Sequence, residues 1–208
     1  MSDPAPAGRP GCFVAFEGGD GCGKSTQAAR LAAHLGAVLT REPGGTAIGR
    51  LIRGVLLDPA HDAMQARAEA LLLAADRAQH LAEVVAPALA AGRDVVADRS
   101  AYSSLAYQAY GRGLPVEEVR QVNHWATNGR WPDLVLLVDA DPSLLAHRLG
   151  TELDRIEQAD PGFHQRVRDG FLSLAAAEPE RFVVLDAEQP VDHLAASVRA
   201  VVRERLGA

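Results

Sequence analysis

The segment Gly18–Ser25 constrains this chain more than any other part of its sequence. Its residues, Gly-Gly-Asp-Gly-Cys-Gly-Lys-Ser, match the phosphate-binding pattern G-x-x-x-x-G-K-[ST]. A buried-strand pattern, Phe13–Glu17, precedes the segment, and an apolar pattern of helical spacing, Lys24–Leu35, follows it. In this context the glycines let backbone N–H groups turn toward phosphate oxygens, and the helix N-terminus adds its positive dipole end. The sequence therefore predicts a site for the phosphates of a nucleotide.

Lys24 is the single lysine of the chain. In a loop of this kind the ammonium group binds β- and γ-phosphate oxygens, and the hydroxyl that follows it, here that of Ser25, binds Mg²⁺. A GTPase would need a second lysine in an Asn-Lys-x-Asp guanine clamp, so that class is excluded, and ATPases and small-molecule kinases remain open. The predicted ATP-binding residues of the loop are Gly18, Gly19, Asp20, Gly21, Cys22, Gly23, Lys24, Ser25 and Thr26.

Short β-branched runs alternate with helical patterns along the chain. The predicted strands are Phe13–Glu17, Ala37–Thr40, Asp94–Ala97, Leu134–Asp139 and Arg181–Leu185. The predicted helices are Lys24–Leu35, Ile48–Leu56, Ala63–Ala90, Tyr102–Tyr110, Val116–Thr127, Pro142–Leu149, Pro161–Ala177 and Val191–Leu206. This alternation predicts a three-layer α/β fold, a five-stranded parallel sheet with helices on both faces. Residues 1–11 are predicted to be a disordered tail, and residues 12–208 a single domain.

An acid and a base follow the third strand. Asp98 and Arg99 come directly after Asp94–Ala97, and the carboxyl ends of strands in such sheets face the ligand crevice. We expect Asp98, with Ser25, to bind Mg²⁺, and the guanidinium of Arg99 to clamp a phosphate.

Composition excludes other classes of protein. A formal net charge of −6 argues against nucleic-acid binding, which depends on a basic face. No apolar stretch approaches the roughly 18 residues of a membrane span. The two cysteines, Cys12 and Cys22, are placed too far apart to bond if a strand and a loop separate them. We therefore expect a cytoplasmic protein with small-molecule partners, acting on neither nucleic acid nor membrane.

Four further segments share a family pattern with the phosphate loop. They are Thr40–Thr46 (Thr-Arg-Glu-Pro-Gly-Gly-Thr), Ala74–Arg77, the block of Asp98 and Arg99 with Ser103–Gln108, and Asp154–Glu157 (Asp-Arg-Ile-Glu) followed by Phe163. With these residues the chain resembles the bacterial thymidylate kinases, from Phe13 to about Leu206. The resemblance implies a P-loop kinase that transfers the γ-phosphoryl of ATP to dTMP with Mg²⁺, with a short mobile lid at residues 148–162. It also implies a homodimer, with Ala63–Ala90 either at the dimer seam or as a kinked core helix.

The resemblance assigns the acceptor's phosphate and sugar to particular side chains. Arg99 and Arg53 would hold the 5′-phosphate, and Glu42 would organise these arginines. Asp20 would accept a hydrogen bond from the 3′-hydroxyl, and Tyr107 would crowd the 2′ position, which favours deoxyribose.

The base is assigned in the same way. Arg77 would donate to O4 of thymine, and Gln108 would bond the base edge. Leu73 stands where the family usually has phenylalanine, so dispersion would replace aromatic stacking and dTMP binding would be weaker. The full predicted acceptor site is Asp20, Glu42, Pro43, Arg53, Leu73, Arg77, Arg99, Ser104, Tyr107 and Gln108.

The lid is assigned two arginines. Because Gly21 stands where some relatives have an arginine, the resemblance implies that Arg155 meets the transition-state charge, and that Arg148 stacks on adenine. The predicted catalytic residues are Lys24, Asp98, Arg99 and Arg155. A kinase for another deoxypyrimidine monophosphate and a non-catalytic ATP-binding switch remain the alternatives.

Overall fold

The computed structural model describes residues 11–145 and 153–207. Its five strands are β1 Phe13–Glu17, β2 Val38–Arg41, β3 Val95–Asp98, β4 Leu134–Asp139 and β5 Phe182–Asp186. They form one parallel sheet in the order β2-β3-β1-β4-β5. The predicted all-parallel, five-stranded sheet is confirmed.

Alternate residues of the central strands enter two different cores. Phe16 and Leu136 face the core beneath the helices Lys24–Leu35 and Val191–Leu206. Val135 and Leu137 face the core formed with the helix Pro161–Ala177. Every residue of β1 is buried, which explains why Phe13–Phe16 is a continuous apolar run rather than an alternating one.

Helices cover both faces of the sheet. They are α1 Lys24–Leu35, α2 Ala47–Leu57, α3 Ala66–His80, α4 Ala86–Ala90, α5 Ala101–Ser104, α6 Val116–Ala126, α7 Pro142–Leu145, α8 Pro161–Ala177 and α9 Val191–Leu206. Within the described ranges no helix is long and apolar enough to cross a membrane.

The predicted long helix Ala63–Ala90 begins later and is not uniform. α3 continues through a π-helical stretch, Leu81–Val85, into α4. Pro87 has no N–H to continue the α-helical ladder, which accounts for an irregularity in this region. A second π-helical stretch, Leu105–Gly111, follows α5 and carries two of the predicted site residues.

Some predictions fall on residues that the structure does not describe. These are the tail up to residue 10, the end of the helix predicted after β4, and the first part of the lid, with Arg148.

Candidate active site

The phosphate loop turns on glycines with left-handed backbone. Gly18 has φ +139°, and a Cβ atom there would lie 2.3 Å from the carbonyl oxygen of Val138. Gly23 has φ +96° and lies directly before α1. Residues with a Cβ rarely adopt these φ values. The backbone conformation therefore favours glycine at both positions of the motif. The loop leads into the N-terminus of α1.

Lys24 is folded over this loop and buried. Its Nζ donates to the carbonyl oxygen of Gly19 at 2.7 Å and lies 3.9 Å from Oδ1 of Asp20. Cys22 packs into the core beneath α1, and Thr26 is exposed in the first turn of that helix. The positive charge of Lys24 therefore lies inside the loop where phosphate oxygens are expected.

Ser25 and Asp98 join the first turn of α1 to the end of β3. The Ser25 hydroxyl donates to Oδ2 of Asp98 across 2.5 Å. In the described residues there is no cluster of three or more His, Cys, Asp or Glu side chains that could hold a metal. Mg²⁺ in kinases commonly takes one or two protein oxygens together with substrate phosphates, so this oxygen pair fits it.

Arg99 turns out of β3 with an unusual backbone. Its φ is 76°, and its N–H donates to the carbonyl oxygen of Phe16 at 2.9 Å. Left-handed backbone costs free energy at any residue other than glycine. It is found where the surrounding structure fixes it, often at functional sites. The guanidinium donates to Gly18 O at 3.1 Å, Ser103 Oγ at 3.1 Å, Asp20 Oδ1 at 2.5 Å and Tyr107 Oη at 2.9 Å.

Asp20 is the charge partner of Arg99. Tyr107 Oη donates to its second oxygen at 2.9 Å. Burial alone would raise the pKa of Asp20, but the charges of Arg99 and Lys24 and the Tyr107 hydrogen bond outweigh burial and hold that pKa well below its ordinary value. Burial would likewise lower the pKa of Arg99, but Asp20 leads the interactions that raise it well above the ordinary value. The pair is therefore charged at neutral pH.

Glu17, which sequence reasoning missed, supports Arg99 from behind. It is fully buried at the end of β1, and its Oε1 accepts from the N–H and Oγ of Ser100 at 2.8 and 2.7 Å. Ser103 donates to the other oxygen at 2.5 Å. Burial raises the pKa of Glu17 despite the nearby charge of Arg99. Its position at the end of an apolar strand, directly before the phosphate loop, was the signal available in the sequence.

A cleft of about 80 Å³ opens beside the phosphate loop. All the residues predicted to bind the acceptor lie in its wall: Asp20, Glu42, Pro43, Arg53, Leu73, Arg77, Arg99, Ser104, Tyr107 and Gln108. The wall also contains residues that were not in the predicted acceptor site: Leu56, Leu57, Ser103, Asp154 and Ile156.

Arg53 brings positive charge to the wall of this cleft. Its Nη1 donates to the carbonyl oxygen of Pro43 at 3.2 Å. The pKa of Arg53 is lowered from its ordinary value, mainly because the side chain is buried. The like charges of Arg41 and Arg99 also lower it, and the charge of Asp154 opposes them. Guanidinium groups that repel one another in this way would be stabilised by an anion bound between them.

Arg77 is held rigidly in the same wall. Its Nε donates to Oε2 of Glu42 at 2.7 Å, and His80 Nδ1 lies 2.8 Å from the other Glu42 oxygen. Burial would raise the pKa of Glu42, but Arg77 and His80 outweigh it and lower that pKa. The remaining contacts of the Arg77 guanidinium are with Ser104 Oγ, Asn123 Oδ1 and Ser100 O.

Leu73 and Gln108 also line the cleft. Both side chains are almost fully buried, on α3 and on the second π-helical stretch respectively. Nε2 of Gln108 donates to Oε1 of Glu69 at 2.9 Å.

Arg155 is not brought to the phosphate loop. Its guanidinium is buried, donating to Leu56 O at 2.8 Å and to Oε2 of Glu69 at 2.5 Å. The expectation that Arg155 faces the transferred phosphoryl group does not match this arrangement, because Arg155 would have to break its buried ion pair with Glu69 to reach a phosphate. Glu69, on α3, is the partner that sequence reasoning missed.

A phosphate loop with a buried lysine, an oxygen pair suited to Mg²⁺ and an adjoining arginine-lined cleft define a P-loop nucleotide kinase. The family model of thymidylate kinase matches residues 16–198. The chain belongs to the thymidylate kinase family, as its resemblance in sequence indicated.

Individual relatives agree with this assignment. The thymidylate kinase of Bifidobacterium longum (strain NCC 2705) is 52% identical over 202 residues, covering 93% of this chain and 98% of that protein. The thymidylate kinase of Deinococcus radiodurans is 50% identical, covering 94% and 98%. The crystal structure of thymidylate kinase from Ehrlichia chaffeensis has a TM-score of 0.77 at 30% identity, covering 93% of this chain and 100% of that one. Family membership makes the chain an enzyme of nucleotide biosynthesis that phosphorylates dTMP.

Proposed function

We propose that the cleft beside the phosphate loop binds dTMP. The 5′-phosphate of the bound dTMP then receives the γ-phosphoryl of ATP. The observation that carries this proposal is the position of Arg99. Its guanidinium contacts Gly18 and Asp20 of the phosphate loop and also lies in the wall of the cleft. One side chain thus borders both phosphate positions.

On the donor side, Lys24 binds the β- and γ-phosphates with the N–H groups of the loop and of α1. Ser25 and Asp98 would hold Mg²⁺, which would neutralise negative charge on the phosphates. The adenine position assigned to Arg148 lies outside the described residues and stays a prediction from the sequence.

On the acceptor side, Arg53 and Arg99 hold the 5′-phosphate in line with the γ-phosphoryl. An oxygen of this phosphate is already a nucleophile at neutral pH, so transfer is direct and needs no general base. Asp20 accepts from the 3′-hydroxyl, and the ring of Tyr107 crowds the 2′ position. The Tyr107 hydroxyl stays protonated, because burial leads the interactions that raise its pKa well above the ordinary value.

At the base end, Arg77 donates to O4 of thymine, Gln108 bonds the base edge and Leu73 covers the ring face. The rigid contacts of Arg77 with Glu42 and its other partners leave little freedom to adapt to a different base. Preorganised donors discriminate because an unmatched buried donor costs about 1–3 kcal/mol.

The segment at residues 148–162 is proposed as the lid of a single domain spanning residues 12–208. The described part of it, from residue 153, is anchored by Arg155, whose N–H also donates to Leu57 O at 3.0 Å. Asp154 and Ile156 flank this anchor and line the cleft. Closure here would exclude water from the transfer.

We also propose that the enzyme is a cytoplasmic homodimer. Leu71 on α3 is 58% exposed and Trp125 on α6 is 83% exposed. Exposed apolar groups that adjoin one another mark interaction surfaces. The groove between them is lined by Ala74, Ala75, Ala78, Gln121 and Val122.

ADP release from ATP and Mg²⁺ tests the proposed reaction. Parallel assays would contain dTMP, dUMP, dCMP, thymidylate with a 2′-hydroxyl, or no acceptor. Strong preference for dTMP supports the assignment. Preference for another deoxypyrimidine would support the transfer chemistry but show that the assignment of dTMP as acceptor, in which Leu73 departs from the family, is wrong. ADP release independent of acceptor would contradict the proposal.

A further inference from the structure

Gln108 offers the acceptor cleft a buried oxygen without a partner. The side chain is 1% exposed, and its Oε1 has no hydrogen-bond partner among residues 11–145 and 153–207. A buried amide oxygen left unpaired is costly. A ligand group that donates a hydrogen would remove this cost.

Glu69 decides which end of the Gln108 amide faces the cleft. Its carboxylate accepts hydrogen bonds and donates none, and Gln108 Nε2 donates to it at 2.9 Å. Reversing the amide would set two oxygen acceptors against each other with no proton between them. The chemistry of Glu69 therefore fixes Oε1 of Gln108 as the atom available to a ligand.

Two arginines keep Glu69 in its accepting form. Arg112 donates to its two oxygens at 3.2 and 3.1 Å, and Arg155 donates to Oε2 at 2.5 Å. Burial would raise the pKa of Glu69, but the hydrogen bonds from Arg112, Gln108 and Arg155 outweigh it and lower that pKa. At neutral pH the carboxylate has no proton with which to stabilise the reversed amide.

Arg77 supplies the complementary donor. Its contacts use four of the five guanidinium N–H groups, and one hydrogen on Nη2 has no partner within the described part of the chain. Arg77 and Gln108 thus offer a donor and an acceptor. Thymine and uracil match this pair with carbonyl O4 and N3–H, whereas cytosine presents an amino group and an unprotonated N3, which reverses both.

We propose that Glu69, acting through Gln108, is the positioning residue that makes the cleft select a pyrimidine with a hydrogen on N3. This inference rests on the proposed function, because it requires Gln108 to meet the edge of the base. Glu69 touches no substrate itself, and its effect is to choose the atom of Gln108 that does.

The test is the ratio of kcat/KM for dTMP to kcat/KM for dCMP in Glu69→Gln. The new amide can donate to Gln108, so the reversed orientation becomes available. We expect the ratio to fall about tenfold or more, mainly through a higher KM for dTMP. Glu83→Gln is the matched control, since Gln79 Nε2 donates to Glu83 at 2.8 Å on an exposed helix face, and its ratio should equal that of the wild type.

A second variant separates positioning from general damage. Gln108→Met removes the amide, so adding Glu69→Gln to it should leave the ratio unchanged. The proposal is overturned if Glu69→Gln keeps the wild-type ratio, including the case in which both values of kcat/KM fall by the same factor. It is also overturned if Glu69→Gln changes the ratio in the Gln108→Met background.

If Glu69→Gln does not fold, nuclear magnetic resonance of the wild-type enzyme with dTMP labelled with ¹⁵N at N3 still tests whether Gln108 accepts a hydrogen bond from N3–H. An imino proton protected from exchange supports the acceptor role of Gln108, and exchange at the rate of free dTMP overturns it. Wild-type enzyme that fails to phosphorylate dTMP would instead contradict the proposed function, which is a separate outcome.

Discussion

Nη2 of Arg99 lies 2.5 Å from Oδ1 of Asp20, so the end of β3 and the phosphate loop are joined by one charged contact. Both residues also line the acceptor cleft. Donor and acceptor phosphates would therefore be bound by groups already fixed relative to each other. In phosphoryl transfer, where the protein mainly positions and stabilises charge, such fixed geometry is the main requirement.

Asp20→Asn should change the pH dependence of stability. The folded-state pKa of Asp20 lies below its ordinary value of 3.8, so the ionised carboxylate stabilises the fold above that value, and this contribution is lost as the pH falls through the folded pKa. We expect a lower Tm than wild type at pH 7, with the difference shrinking below about pH 4. Calorimetry from pH 7 downward measures this, with the exposed Asp62→Asn as control. A difference that stays constant with pH would contradict the assignment.

Lys24→Met should lower kcat by at least about 100-fold while the protein stays folded, because the charge inside the phosphate loop is lost. Because Lys24 is the only lysine, amine-directed acylation reports on this site and on the N-terminus alone. ATP should protect Lys24 from acylation, as mass spectrometry of the peptide can show. Equal labelling with and without ATP would count against a role in binding phosphates.

Ser25→Ala should raise the Mg²⁺ concentration that gives half the maximal rate, since one of the two oxygens proposed to hold the ion is removed. A Mg²⁺ titration at fixed ATP and dTMP measures the change. Ser173→Ala removes a hydroxyl that donates to a backbone carbonyl on the exposed face of α8 and should leave the titration unchanged. Identical curves for Ser25→Ala and wild type would place the ion elsewhere.

Leu73→Phe should lower the KM for dTMP roughly two- to tenfold, because an aromatic face is added over the base. Leu39→Phe, at a position 51% exposed on β2, is the control and should not change KM. An unchanged or higher KM in Leu73→Phe would show that Leu73 does not cover the base.

Trp125→Glu should convert a dimer to a monomer, because a charge would enter the apolar surface formed by Leu71 and Trp125. Light scattering coupled to size-exclusion chromatography gives the mass directly. A wild-type protein that is monomeric at micromolar concentration, or a variant with the wild-type mass, would refute this surface as the dimer interface.

Local signals made the phosphate loop and the strands along the chain accessible from the sequence, whereas the order β2-β3-β1-β4-β5 within the sheet was not predicted. β1 and the loop lie within a dozen residues, and their apolar run, glycines and lysine suffice. Boundaries moved by one or a few residues, as at β2, where Arg41 pairs with Asp98 and extends the ladder. The π-helical stretch Leu105–Gly111 had no such signal, because an extra residue in a helical turn leaves the apolar pattern nearly unchanged.

The buried charge pairs were not accessible. Glu69 and Arg155 are separated by 86 residues, and neither sequence neighbourhood shows that the other will be its partner. For the same reason Arg155 was predicted to be a lid arginine that reaches a phosphate, although the fold buries it against Glu69. The acceptor-site residues were reached by resemblance to a family, since their meeting in one cleft depends on α2, α3 and the Leu105–Gly111 stretch packing together.

A single-turnover reaction with ATP labelled in its γ-phosphoryl group, dTMP and Mg²⁺ tests direct phosphoryl transfer in this cleft. We predict one labelled dTDP for each ADP formed, with no label on the enzyme and none released as inorganic phosphate. ADP formation with the label in inorganic phosphate or on the protein would contradict direct transfer to dTMP in the Arg99 cleft.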